Sequence, residues 1–384
     1  MDRPVKGSSA SAHLDMLRGS AALLVAFQHV RLMLIMNTDE VHGMKSWAKA
    51  FYFLTSLGPS AVMAFFVLSG FLIGSSVIQN VRNSAWSWGN YAAARLSRIW
   101  VVLIPALVAG AVLDWAGTHF VGSSIVYSTP HYGVMLPESV IANLSPKIAL
   151  GNMLCLQEIF VPTFGSNHPL WSLANEVWYY AIFPLLILSL VKKASRLKRF
   201  VYLVGAGTIF LMLTAKIRWY FLVWLMGAAI ALAPRIGIRL WHTRIVSVSL
   251  VGWLALQSMK LVVVNGYISG ALVALLVYCL IAQPEGAVSA FYVGLARRMS
   301  DLSYTLYLTH IPFVVLVAAL IVRRGPKFHP DIEGILASVA LLAAAMIYAW
   351  MMWLGFERHT VQVKRWLRNQ FRYANLPEVA VGSH

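Results

Sequence analysis

Apolar runs of bilayer-crossing length recur along the chain, separated by short polar segments. Ten are placed at roughly 14–36, 56–79, 98–115, 168–191, 200–215, 217–234, 244–259, 266–283, 300–322 and 332–356. Such repetition predicts an all-α polytopic membrane protein, a bundle of about ten transmembrane helices. The connection 116–167 is the longest. Within it IALGNMLCLQEIF is too short to span, so the pattern predicts a re-entrant or interfacial helix. After residue 356, Val363, Trp366, Leu367 and Phe371 recur at helical spacing with Lys364, Arg365, Arg368 and Arg372 between them. That alternation predicts a basic amphipathic tail lying on an anionic leaflet. The final residues, 375–384, have no such period and read as disordered. The organisation is therefore a membrane domain over 1–356 and a tail over 357–384. No internal repeat is visible, which weakens a transporter built from inverted halves.

Composition sharpens this reading. Of the 384 residues 59% are hydrophobic and 12% charged, with mean hydropathy +0.70, whereas a soluble domain carries about 25% charged residues. The net charge of +17 does not call for nucleic acid. With the N-terminus cytoplasmic, about two thirds of the Lys and Arg residues fall on inner segments, as the positive-inside rule requires. The loop KKASRLKR (192–199) contributes most to this bias. Both termini are then cytoplasmic, in a plasma or inner membrane. No convincing cleavage site follows the first apolar run, so it reads as a retained helix. Two cysteines, Cys155 and Cys279, indicate neither a disulfide framework nor a metal cluster.

Against this apolar background the ionisable residues stand out, because they are costly in a membrane and face a bundle interior or a wet cavity. Arg18 and His29 lie eleven positions apart, about three turns, on one side of the first helix with about 16 Å of rise between them. Asp15 sits one turn before Arg18. Ser69, Gly70 and Gly74 on the second run allow close approach of a ligand or of another helix. Arg95 and Arg98 are neighbours one turn apart, either snorkelling anchors or paired forks for phosphate oxygens. On the fourth run Trp171, Asn175 and Trp178 share a face, and Glu176 is an acid well inside the span. On the ninth, Ser303, Tyr307 and His310 share a face, with His310 at a depth similar to His29.

Taken together, several blocks resemble the acyltransferase-three family of integral membrane acyltransferases. They are Arg18 and His29 with ten residues between, FFVLSGF (65–71), RLSR (95–98), WSLANEVWYY (171–180) and LSYTLYLTH (302–310). The resemblance implies transfer of an acyl group, often acetyl, from cytoplasmic coenzyme A to a hydroxyl of a carbohydrate or lipid-linked saccharide. Some members carry an extracytoplasmic domain after the bundle. Residues 357–384 are too few for one, so direct transfer or a separate partner is expected.

The expected mechanism follows. Arg18, Arg95 and Arg98, with Ser69 and Gly70, hold acyl-CoA at the inner rim, and no metal takes part. The thioester reaches His29, the general base, since imidazole titrates near working pH. Glu176 orients that base as a carboxylate does in a triad, while Tyr304, His310 and Trp171 shape the acceptor side. The alternative is a proton-coupled transporter or flippase, in which the same His, Glu and Arg form a relay. The acceptor and the oligomeric state, a homo-oligomer included, are left open.

Overall fold

A computed structural model describes residues 8–373 except 42, 44, 129–135, 235, 264 and 324. The tail expected to be disordered, 375–384, lies outside these residues. Helices dominate. In order they are α1 (Ser9–Leu34), α2 (Ser46–Leu54), α3 (Gly58–Arg82), α4 (Trp88–Phe120), α5 (Ile125–Ser128), α6 (Pro146–Met153) and α7 (Leu170–Ser189). There follow α8 (Arg196–Met212), α9 (Ala215–Ile230), α10 (Leu240–Ser258), α11 (Gly266–Ala282), α12 (Ala290–Val322), α13 (Ile332–Gly355) and α14 (Thr360–Tyr373). Among the described residues β pairing is confined to isolated bridges. Side-chain caps open many of the helices. Ser8, Ser87, Ser145, Ser195, Ser289 and Asp331 each accept a hydrogen bond from a backbone N–H of the first turn, satisfying a donor that the helix itself leaves unpaired.

Each of the ten apolar runs falls on a helix. Among the described residues four helical stretches are long and apolar enough to cross a membrane: Ser46–Arg82, Trp88–Phe120, Ala290–Val322 and Ile332–Gln370. The chain is thus a multi-pass, all-helical membrane protein. α4 and α12 extend well before the apolar runs that mark them, through YAAARLSR and LARRMSD, because Ala, Leu and Arg are strong helix formers. Hydropathy marks only the lipid-matched part of such a helix.

Two intimate crossings set the bundle. α1 packs chiefly along α12, and α3 along α9. A Cβ at Gly19 would lie 2.4 Å from Met299 Cβ, so only glycine lets α1 approach α12 there. At the α3–α9 crossing, a Cβ at Gly70 would stand 2.0 Å from the Trp224 carbonyl oxygen, and one at Gly227 2.0 Å from that of Val67. These are the small-residue interfaces expected where lipid supplies no hydrophobic drive between helices.

The segment 146–167 is tied deep into the bundle. Trp100 Nε1 donates to the Met153 carbonyl at 2.8 Å, and Asp114 accepts from Ser166 N–H and Oγ–H at 2.7 Å each. Trp100 and Asp114 are fourteen positions apart on α4, so 146–166 follows that helix for about 21 Å. Gly165, at φ +57°, makes the second anchor; a Cβ there would meet Asp114 Oδ2 at 2.2 Å. Another tie completes the arrangement. Pro312 has no N–H, which orphans the Leu308 carbonyl one turn back, and Asn167 Nδ2 donates to that oxygen at 2.8 Å.

Candidate active site

The α1–α12 crossing aligns two pairs of polar residues. Arg18 donates through Nη2 to the Ser300 carbonyl at 2.8 Å, and Ser300 Oγ donates to Asp15 at 2.7 Å. Eleven residues further along α1, His29 Nδ1 lies 2.8 Å from His310 Nε2, ten residues beyond Ser300. The two helices therefore run parallel, with an arginine anchored at one level and a pair of histidines at the next. The imidazole rings are nearly coplanar in orientation, 7° apart with centroids 5.1 Å from each other. His310 is fully buried, and its Nδ1 lies 2.7 Å from the Leu306 carbonyl.

Below the histidines lies a cavity of about 420 Å³ bounded by α1, α3, α4, α7, α12 and α14. Arg18, Arg95, Arg98 and Lys364 give it cationic walls, with Ser69, Glu176, Tyr180 and Tyr304 among the other lining residues. The guanidiniums have different partners. Arg98 Nη1 pairs with Glu357 Oε1 at 2.6 Å and lies over the Tyr304 ring at 4.8 Å. Glu357 is only 5% exposed and also accepts from Thr305 N–H at 3.2 Å and from the Thr305 hydroxyl. Arg95 lies over Tyr91 and Tyr180, at 5.7 and 5.8 Å from their centroids. The Nε atoms of Arg18 and Arg95 are buried without a hydrogen-bond partner.

Glu176 faces the same cavity but does not bond to His29. Its Oε2 accepts from the Tyr180 hydroxyl at 2.9 Å; that hydroxyl lies 2.9 Å from Ser69 Oγ, which accepts from Trp224 Nε1 at 3.2 Å. The partner of His29 is His310. Of the other residues singled out from sequence, Tyr304 lines the cavity and donates to the Ile99 carbonyl at 3.3 Å. Gly70 faces the α9 backbone instead, where helix packing accounts for it. Trp171 lies outside the cavity lining and packs on Phe66 and Tyr220, with Lys216 Nζ 4.6 Å above its ring.

His29 and His310 are not lining residues either. Tyr307 lines the cavity, bonded to Ser172 at 2.7 Å, and its ring centroid is 6.3 Å from that of His310. Tyr307 thus borders both the arginine cavity and the surroundings of His310. Sequence reasoning missed Glu357 and the tail's share in the site. α14 packs against α4, where Arg368 Nε donates to Asn90 at 3.0 Å, and Thr360, Val361 and Lys364 line the cavity. The available signal for Glu357 was an acid directly after the last apolar run. Among the described residues no group of three or more His, Cys, Asp or Glu is arranged to hold a metal ion.

A set of guanidiniums converging on one cavity with a carboxylate, close to an imidazole pair, suits an anionic substrate and a proton transfer. Comparison with known proteins agrees in class. A stretch of 138 residues, 35% of this chain, is 30% identical to an uncharacterised protein of Haemophilus influenzae. It covers 51% of that protein, so the chain matches about half the length of this curated relative. No solved structure matches. The family model described as an acyltransferase domain, Acyl_transf_3, matches residues 11–354, nearly the whole chain, and the protein belongs to that family of membrane acyltransferases.

Proposed function

We propose that this protein moves an acyl group, acetyl as the first choice, from cytoplasmic acyl-CoA to a hydroxyl of a carbohydrate or lipid-linked saccharide. The observation that carries the reading is the convergence of Arg18, Arg95 and Arg98 on one cavity. Guanidinium forks that line one cavity can each grip two oxygens of an anion. In this proposal all ten apolar helices cross the bilayer and both termini are cytoplasmic. The cavity then opens on the inner side beside α14, where a CoA enters phosphate end last.

The arginines hold the phosphates, and the pantetheine arm covers the ~16 Å of rise from Arg18 to His29. Tyr307 moves aside to admit the thioester. His29 takes the proton of the acceptor hydroxyl, the oxygen attacks the thioester carbonyl, and the C–S bond breaks to give an ester and CoA thiolate, which is reprotonated. Glu176, held by Tyr180, balances positive charge near the reacting end of the cavity. Tyr304 lies under the Arg98 guanidinium and so flanks the donor rather than the acceptor.

The test uses purified protein in lipid nanodiscs. Acetyl-CoA is expected to raise the unfolding temperature, and Arg95→Met to remove most of that stabilisation while leaving the unliganded protein folded. His29→Ala is expected to bind acetyl-CoA as the parent does and to transfer nothing. Stabilisation that is equal in parent and Arg95→Met takes Arg95 out of the donor site. Transfer by His29→Ala ends its assignment as base.

A further inference from the structure

The hydrogen bonds around His310 determine where the proton sits on His29. A backbone carbonyl only accepts, so the 2.7 Å contact from His310 Nδ1 to the Leu306 oxygen places a hydrogen on Nδ1. His310 is 0% exposed and, among the described residues, has no carboxylate as a hydrogen-bond partner. An unpaired buried cation is costly, which keeps the ring neutral and leaves Nε2 with its lone pair. His29 Nδ1 lies 2.8 Å from that lone pair and must donate to it. The 7° interplanar angle and 5.1 Å centroid spacing are those of two imidazoles joined edge to edge. A neutral His29 then has one unprotonated nitrogen, Nε2.

We infer that His310 is the positioning residue of the site: it fixes His29 as the Nδ1–H tautomer, so that Nε2 alone is available to accept a proton. The inference rests on the proposed role of His29 as base and gives His310 a task different from shaping the acceptor side. His310 is rigid in this task. Its ring is locked to the α12 backbone one turn back, and its helix is clamped on α1 at Gly19. When His29 Nε2 takes the hydroxyl proton, the new positive charge strengthens the Nδ1–H···Nε2 bond to His310. His310 passes the polarisation on to the Leu306 carbonyl, whose dipole points its negative end at His310 Nδ1–H. No proton leaves the pair during the step; the proton bound at Nε2 goes to the departing thiolate. Glu176 is bonded elsewhere, to Tyr180, so the orienting part that a carboxylate plays in a triad falls here to a second imidazole.

The experiment compares His310→Leu with His310→Gln in the full-length protein in nanodiscs. Gln retains an acceptor oxygen for His29 Nδ1–H, and Leu has none. In the parent, ¹⁵N spectra of histidine-labelled protein, with His29 assigned by its loss in His29→Asn, are expected to show Nδ1 protonated and Nε2 unprotonated. In His310→Leu the two forms are expected to mix. Turnover of acetyl-CoA is expected to fall about 100-fold in kcat for His310→Leu with the KM for acetyl-CoA unchanged, and His310→Gln to recover about tenfold over Leu. An unchanged His29 tautomer in His310→Leu overturns the inference, and so do equal rates for the Leu and Gln variants. Retained transfer by His29→Ala defeats the base assignment alone, because the tautomer readout does not depend on activity.

Discussion

Replacing either partner of the Arg98–Glu357 pair removes the same ion pair, yet the two losses differ in size. Glu357 has a side chain only 4% exposed, whereas that of Arg98 is 37% exposed. Removing Arg98 leaves a carboxylate inside the protein, held by the two donors of Thr305. Breaking a buried pair in this way costs about 3–5 kcal/mol, and the Thr305 donors place it near the lower end. Glu357→Gln instead releases a guanidinium that already reaches the cavity and keeps an acceptor for Thr305. A pair lost at a solvated position is worth about 0–1 kcal/mol. The expected difference of about 2 kcal/mol corresponds to about 30-fold in the unfolding constant. Equilibrium unfolding in mixed micelles measures it, with Arg98→Met, Glu357→Gln and the double variant forming a cycle. The double variant is expected to be more stable than Arg98→Met alone. Equal destabilisation by the two single changes refutes the reasoning from burial. A second readout separates structure from ligand: Glu357→Gln takes away the carboxylate that competes for Arg98, so the Kd for CoA is expected to fall. An unchanged Kd removes Arg98 from the anion site and leaves the stability argument standing.

Other consequences are as direct. Gly227→Leu forces α9 away from Val67 of α3 and is expected to abolish accumulation of folded protein; normal expression and melting of this variant contradict the crossing. Asn175 is fully buried with neither side-chain polar atom bonded. Asn175→Leu removes that penalty, about 1–3 kcal/mol, and is expected to raise the unfolding temperature, whereas a drop reveals a partner for the amide. Cys155 is fully buried, so in a Cys279→Ser background its thiol is expected to resist maleimide at pH 8 until the protein is unfolded. Rapid labelling of the native protein shows that the segment around α6 opens.

The positions of the helices were legible because lipid imposes one simple requirement, a long apolar run, and every such run became a helix. Their full lengths were not. The polar starts of α4 and α12 extend the helices without changing hydropathy in a way that marks them. Arg18, Arg95, Arg98 and Glu176 were picked out as ionisable groups that a membrane tolerates around a cavity, Ser69 as a small residue permitting close approach and Tyr304 as an acceptor-side group; all six line one cavity. Gly70 carried an ambiguous signal, since a glycine that admits a ligand and one that admits a helix are the same in sequence. Helical period showed that Arg18 and His29 share a side of α1. It had no means of showing that Tyr307 borders both the arginine cavity and the surroundings of His310, or that His29 meets His310 rather than Glu176. Such pairings depend on which helices are neighbours, and periodicity within one helix is silent on that. The role of α14 was hidden for a related reason: an amphipathic helix that covers a cavity has the same pattern as one that lies on lipid.

The site's dimensions are held by a single structural unit. Arg18 and His29 are on α1; the groups that bind them, Ser300 and His310, are on α12. Because the two helices run parallel, each rises by the same ~1.5 Å per residue from the first contact to the second. Both contacts lie between α1 and α12, so in the proposed reaction the distance from the arginine to the histidine pair is set by two helices clamped at Gly19. Arg95 and Arg98 differ in this respect. They sit on α4, and Arg98 is tied through Glu357 to the end of α13, beside the helix that walls the cavity. In the proposed reaction, movement of α14 or α13 alters the grip on the donor phosphates without altering the span from Arg18 to His29. A fixed span with an adjustable mouth is what a donor of constant length and a substrate that must enter and leave require.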